Sequence, residues 1–298
     1  MESVHYLIIL VLIGGISVPA WALLSLVRFM REKRQLPLVD SSTNAVLLAD
    51  VAVLIAAYNE APVIEETIRR LTALIPKEQV YVISDASSDK TGQLAKRLGV
   101  HVLMLRKNRG KTGALVAGIK RFRLIHTCKV ILLLDADTRL DKDYFPSGLP
   151  LFNQPDVVAV AGSARTLDDT ATKTVIGRYL LAYRQRVYVI LQFLVKYGQA
   201  TPGFNAIAIV PGFASMYRTA AVKKIKIDAP GFVIEDFNVT FELHAKSLGA
   251  IAFDPSRAIA YTQDPDTAGD YFRQTYRWTL GFWQAVARHR FNVSLLYI

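Results

Sequence analysis

The chain has 298 residues, with 36 Lys and Arg against 25 Asp and Glu and a formal charge of +11. Apolar residues make up 52%, above the roughly 45–50% usual for a soluble domain, which points to a part of the chain in lipid and excludes disorder, collagen and small disulfide scaffolds. The lone cysteine, Cys128, cannot form an internal disulfide or a cysteine metal cluster, and reads as a small buried hydrophobe in a reducing compartment.

In chain order, residues 4–27 carry no Lys, Arg, Asp or Glu. A run of that length crosses a ~30 Å hydrocarbon core as a helix, with a kink expected at Pro19. Only Glu2 is charged ahead of it, which disfavours a cleaved signal peptide. The basic cluster Arg28, Arg31, Lys33 and Arg34 that follows sets the rest of the chain on the cytoplasmic side. Residues 1–30 thus read as a transmembrane anchor and 31–50 as a basic juxtamembrane linker. The positive charge is explained by anionic lipid, and with no zinc-finger or RNA-binding signature, no nucleic-acid partner is expected.

From residue 51 short apolar runs alternate with helical stretches. Strands are expected at 51–57, 80–84, 100–105, 130–134 and 157–162, and helices at 62–74, 89–98, 111–122 and near 144–152. This is an α/β pattern: a mostly parallel sheet with helices on both faces and ligands at the carboxyl ends of the strands. The segment 174–197 mixes Arg178, Arg184, Arg186 and Lys196 with Tyr, Leu, Val and Ile, and suits either a membrane interface or a buried core helix. A helix at 235–248, strands at 250–254 and 258–261 and a helix from about 267 follow.

The chemistry-bearing residues sit where strands end. Tyr58 and Glu60 follow the first strand and offer a flat ring and an acceptor to a base or ribose. Asp85 ends the second, where a carboxylate accepts from a pyrimidine N–H or a ribose hydroxyl; Ser88 or Asp89 caps the next helix. Around Gly110, Lys111 stands at a helix start suited to phosphate, without Walker A spacing. Asp135 and Asp137 follow 130–134, and two carboxylates one residue apart can share a divalent cation that also holds a diphosphate. Glu235 and Asp236 open a helix; one reads as a dipole-stabilised cap and Asp236 as a general base. Gln274, Arg277 and Trp278 fall on one helix face, suited to a diphosphate and a sugar ring. The same stretch also reads as an amphipathic interfacial helix, with Trp278, Phe282, Ala285 and Val286 as its apolar stripe.

Taken in order, these motifs (AYNE, Asp85, NxGK, DAD, ED, QxxRW) resemble the inverting family 2 glycosyltransferases of GT-A fold. The resemblance is to the membrane-bound branch with cellulose, chitin, hyaluronan and poly-N-acetylglucosamine synthases, and runs from Val51 to about His289. It implies a Rossmann-like GT-A domain over 51–290 with amphipathic interfacial helices. Tyr58, Glu60, Asp85, Lys111 and Asp135 would bind the nucleotide sugar, Asp137 and Asp135 a Mg²⁺ or Mn²⁺ ion, and Asp236 would be the base. Gln274, Arg277 and Trp278, with Gly212, Phe213 and Glu235, would meet the acceptor and diphosphate. Ala56, Ser84 and Ile234 stand where the family usually has Pro, Asp and Thr. Synthases of this branch continue into further membrane helices, and 291–298 reads as the start of one.

The activity implied is metal-dependent, inverting transfer from a UDP-sugar to a growing polysaccharide at the cytoplasmic face of the plasma membrane, with a membrane subunit or oligomer supplying a channel. A lipid acceptor, as in ceramide glucosyltransferases, and a non-catalytic nucleotide-sugar-binding module are the alternatives. The absence of GxGxxG after the first strand disfavours a dehydrogenase.

Overall fold

The structure, a computed structural model, describes residues 2–34, 45–167, 170–171 and 173–289. Helix α1 (Glu2–Arg34) is continuous through Pro19. Among the described residues no helix is long and apolar enough to cross a membrane. The side chains of 2–14 and 16, half of the expected span 4–27 among them, lie outside the described set, as do 35–44 of the linker and 291–298. The far end of α1 docks on the domain: Ser25 Oγ donates to Leu194 O (2.9 Å), and Arg28 donates to Tyr197 O and lies over the Tyr197 ring (4.1 Å). Arg28, expected to face lipid headgroups, is spent on this joint.

The α/β part begins with β1 (Val51–Ala57), α2 (Ile64–Thr72), β2 (Val80–Asp85), α3 (Thr91–Arg97), β3 (His101–Leu105) and α4 (Gly110–Arg121). A short α5 (Leu124–Thr127) leads to β4 (Val130–Asp135), the two-residue β5 (Arg139–Leu140), α6 (Tyr144–Gly148), β6 (Val157–Val160) and β7 (Ser163–Thr166). Helix α7 (Val175–Ile190) passes through a π-helical turn (Leu191–Lys196) into α8 (Tyr197–Gln199). Then come β8 (Ala214–Arg218), α9 (Thr219–Val222), α10 (Glu235–Ala245), β9 (Ala250–Ala252), β10 (Ile259–Thr262) and α11 (Ala268–His289).

Seven strands form the main sheet in the order β3-β2-β1-β4-β8-β6-β9, and β5-β10-β7 form a second, small one. The expected strands all appear, but the sheet is not wholly parallel: β8 lies antiparallel between β4 and β6. Its sequence, Ala-Ser-Met-Tyr-Arg, lacks the β-branched run that marks the other strands, and only its place between two buried strands makes it one.

The continuous apolar runs are explained by burial on both faces. Val53, Ile55, Val82, Leu132 and Leu134 point to one core with Ile64 and Ile68 of α2 and Tyr144 and Phe145 of α6. Leu54, Ile83, Ile131 and Leu133 point to the other, with Leu115 and Ile119 of α4 and Val239 and Leu243 of α10. The order reverses between β1 and β4, and the crevice at their carboxyl ends is the switch point where α/β sheets bind ligands.

Candidate active site

The register that pairs Ala56 with Asp135 sets the loop after β1 beside the loop after β4. Asn59 takes a left-handed conformation (φ 56°), which its short amide tolerates. Its Oδ1 accepts from the Ser88 amide (2.9 Å), the Glu60 amide donates to Thr91 Oγ1 (2.9 Å), and the Ala61 amide donates to Asp89 Oδ2 (3.0 Å). The loops after β1 and β2 are thereby locked together, with Tyr58 exposed above them. Asp89 also accepts from the Thr91 amide (2.9 Å), one residue ahead of the N-cap Lys90, whose own side chain makes no capping bond.

Asp85 is buried, and its carboxylate accepts from the Arg109 amide at 2.9 and 3.2 Å. Its first task is thus to fix the turn that delivers Gly110 (φ 71°) and Lys111 to the start of α4. A carboxylate has about four lone-pair sites, so capacity toward a nucleotide remains.

Lys111 is the centre of the site. Its Nζ pairs with Asp135 Oδ1 (2.7 Å) and Glu235 Oε1 (2.9 Å) and reaches Gly212 O at 3.5 Å. Both carboxylates stabilise its charged form, which outweighs the cost of partial burial and raises its pKa. The loop after β4 is braced twice: Thr67 Oγ1 donates to Ala136 O (2.6 Å), and the Asp135 amide donates to Phe213 O (3.0 Å). Phe213, expected at the acceptor, is partly buried against the core and contributes this carbonyl. A cleft of about 630 Å³ lies beside the start of α4, between Lys111, Lys120, Phe232 and Glu235.

Glu235 and Asp236 occupy the first turn of α10, where Ile234 at the N-cap has no side chain to offer the free amides. Asp236 Oδ1 is buried and, among the described residues, has no hydrogen-bond partner. Burial first, and the charge of Glu235 second, push the Asp236 carboxyl up to about 7, although Lys111 and the Gly212 amide pull the other way. A Cβ on Gly212 would stand 2.0 Å from Asp236 Oδ1, so any larger residue there forces the acid or the loop to move. Burial and the charges of Asp137 and Asp135 raise Glu60, and burial and Asp135 raise Asp137.

This crowding is the observation against which a metal can be tested. Among the described residues no group of three or more His, Cys, Asp or Glu side chains is placed to hold an ion. Mg²⁺ or Mn²⁺ completed by substrate phosphates needs only one or two carboxylates, and Asp135 and Asp137 supply hard oxygen donors, with Lys111 paired to one oxygen of Asp135. The residues fit.

On α11, Gln274 Oε1 accepts from Arg184 Nη1, and the Arg184 guanidinium lies 5.1 Å from the Trp278 ring centre. Arg277 is exposed and forms no ion pair among the described residues. The predicted residues thus gather into two groups: Lys111, Asp135, Glu235, Asp236 and Gly212, with Glu60 and Asp137 electrostatically coupled to them, and Gln274 with Trp278 on α11. Sequence reasoning gave Arg184 and Lys196 no role of their own, reading them as cations of a segment suited to either a membrane interface or a buried core helix. Lys196 lies 4.5 Å from the Phe253 ring centre, and burial lowers its pKa to about 7 while Asp236 opposes the shift. A π-turn, which no spacing rule foretells, turns it inward.

A switch-point crevice with a lysine at a helix start, an acidic pair after β4 and a buried acid opening α10 defines a GT-A type glycosyltransferase domain. Residues 52–226, more than half of the chain, match the family described as Glycosyl transferase family 2, and the chain belongs to that family. It is similar to poly-beta-1,6-N-acetyl-D-glucosamine synthase of Staphylococcus aureus (strain COL), 28% identical over 271 residues, 89% of this chain and 62% of that protein. The synthase of the same name from Staphylococcus epidermidis is 27% identical over 285 residues, 90% of this chain and 65% of its own length. The chain therefore spans under two thirds of these relatives.

Among solved structures, the mannosyltransferase PcManGT of Pyrobaculum calidifontis with GDP-Man and Mn²⁺ matches with a TM-score of 0.56 at 18% identity, covering 91% of this chain and 74% of that one. Glucosyl-3-phosphoglycerate synthase of Mycobacterium tuberculosis, with Mn²⁺, UDP and phosphoglyceric acid, matches at 0.52 and 17%, covering 82% and 80%. S. aureus TarS 1-349 with UDP-GlcNAc matches at 0.51 and 17%, covering 73% and 59%. These likenesses speak for the fold.

Proposed function

We propose that this glycosyltransferase moves a sugar from a UDP-sugar to a sugar hydroxyl of a growing polysaccharide, with inversion, at the cytoplasmic face of the plasma membrane to which α1 anchors it. The observation that carries the reading is Asp236: a buried acid with an orphaned oxygen, pushed up to about 7, two residues past the N-cap of α10 and coupled to Lys111. A group poised near neutral pH suits general base catalysis.

Tyr58, Glu60 and Asp85 would line the uridine pocket, with Lys111 exchanging its carboxylate partners for the diphosphate at the start of α4. Asp236 takes the proton of the acceptor hydroxyl as its oxygen bonds to the anomeric carbon. The bond from that carbon to the diphosphate oxygen breaks on the opposite side, and UDP leaves with the electron pair. Asp135 and Asp137 would hold a Mg²⁺ or Mn²⁺ ion, which when bound neutralises charge on the diphosphate. Gln274, Arg277 and Trp278 would face the acceptor and the leaving group.

A second acceptor class, a lipid-linked sugar, is favoured by one observation. Val175 and Tyr179 of α7 are 74% and 73% exposed, and Phe272 and Tyr276 of α11 are each 69% exposed, so both helices carry apolar surface on the faces turned away from Arg184 and Trp278. A membrane subunit or a second copy that supplies a channel belongs to the polysaccharide reading.

The test is UDP release from a panel of UDP-sugars by the detergent-solubilised chain with Mg²⁺ or Mn²⁺. Release from one donor, abolished by EDTA and by Asp236→Asn, is expected, and product sizing separates polymer from glycolipid. UDP that binds but is released from none of the sugars, with oligosaccharide acceptors present, would sink the reading.

A further inference from the structure

Arg184 is 4% exposed on the inner side of α7, and its guanidinium makes one ion pair and two side-chain hydrogen bonds. Nε pairs with Asp264 Oδ1 at 2.7 Å, in an ion pair whose acid side chain is fully buried. Nη1 donates to Gln274 Oε1 and Nη2 to the Tyr188 hydroxyl, while Cζ lies over the rings of Tyr188 and Trp278, 5.1 Å from each ring centre. Asp264 sits in the loop before α11, which is pinned to the start of α7. There the Thr174 amide donates to Asp266 Oδ1 (2.9 Å), Thr174 Oγ1 donates to Asp266 O (2.8 Å), and Lys173 Nζ donates to Asp264 O (2.8 Å).

The rest of α11 hangs from a different support. Phe282 packs edge-on against Phe237 of α10 (5.5 Å), and Gln284 Oε1 accepts from the Val233 amide (2.9 Å). The half that carries Gln274 and Trp278 meets α7 through Arg184, with a Tyr183–Tyr271 ring contact (6.3 Å) alongside.

We propose that Arg184 is a positioning residue: its planar fork fixes the Gln274 amide and the Trp278 indole on the acceptor face of α11. This rests on the reading of that face given above. A guanidinium can point three N–H groups in one plane and stack on a ring at the same time, whereas a lysine ammonium supplies charge without the plane. Arg184→Lys therefore keeps a cation for Asp264 and removes the clamp.

The experiment has an arm that needs no turnover. In a Trp21→Phe, Trp283→Phe background Trp278 is the one tryptophan of the chain, since there are three in all. Acrylamide quenching of Trp278 should rise about twofold or more in Arg184→Lys while UDP affinity stays within about twofold, because the clamp acts through the indole and not the nucleotide pocket. In turnover, Arg184→Lys should lower kcat/KM for the acceptor by about 10- to 100-fold, yet cost under about twofold when added to Gln274→Ala with Trp278→Phe, as residues in one network are non-additive.

Should Arg184→Lys lose UDP binding through misfolding, Gln274→Ala carries the quenching arm with the same expected rise. Unchanged quenching in the folded variant, or turnover losses that simply multiply, would overturn the proposal. A wild-type chain that turns over no UDP-sugar counts against the reaction assigned above, and the quenching arm still decides the role of Arg184.

Discussion

The two sides of the crevice are built differently. Around β1, β2 and β4 the loops are tied to one another by side chains: Asn59 to Ser88, Thr91 to the Glu60 amide, Asp85 to the Arg109 amide, and Thr67 to Ala136. Around α7 and α11 one buried arginine holds the inner face, while Val175, Tyr179, Phe272 and Tyr276 lie open. The β1–β4 side thus keeps its donors and acceptors in place before any ligand arrives, which is how binding energy is turned into orientation. The α7–α11 side presents apolar surface that a bilayer or an acceptor can complete.

The strongest way to break that contrast is to spoil the rigid side at one atom. Asp236→Asn should lower kcat by about 10²- to 10⁴-fold, the share usually carried by a general base, with UDP affinity nearly unchanged. The wild-type rate should also fall with acid: the working form is the carboxylate, its carboxyl titrates at about 7, and so kcat/KM should drop as pH falls through that value and level off above it. A profile flat from pH 5 to 8 would remove Asp236 from the chemistry. Gly212→Ala places a methyl 2.0 Å from Asp236 Oδ1 and should approach the loss seen with Asp236→Asn, since either the acid or the 211–213 loop has to move.

How much of this was legible follows the same division. Strands such as β1 and β4 announced themselves because burial on both faces demands unbroken apolar runs, and the acids after them stand where such a sheet binds ligands. Asp236 and Lys111 were readable as acid and cation at helix starts, but not as neighbours: their meeting depends on β8 threading antiparallel beside β4 and bringing Gly212 between them. Arg184 and Lys196 were unreadable as inward residues. Both sit in a stretch with apolar side chains all round, and which side meets the domain is decided by packing on β7, α8 and α11. Half of the span expected over 4–27 and all of the tail 291–298 fall outside the described side chains.

Milder changes sharpen the comparison from each side. Lys111→Met removes the cation that Asp135 and Glu235 share. A charge-assisted hydrogen bond contributes ~1.5–3 kcal/mol, so UDP should bind about 10- to 100-fold more weakly in titration calorimetry, with UMP much less affected because it lacks the second phosphate. Equal losses for both nucleotides would place Lys111 away from the diphosphate. The smallest effect belongs to the open side. Tyr179→Ser with Phe272→Ser takes two exposed rings from the apolar surface without touching the nucleotide pocket. Partition onto vesicles of mixed neutral and anionic lipid should weaken by several-fold, as expected for an interfacial helix held partly by apolar burial and partly by charge. UDP affinity should not move. If vesicle binding is unaltered while transfer to a soluble oligosaccharide falls, the rings serve the acceptor and not the bilayer, and the open side is as much a part of the reaction as the wired one.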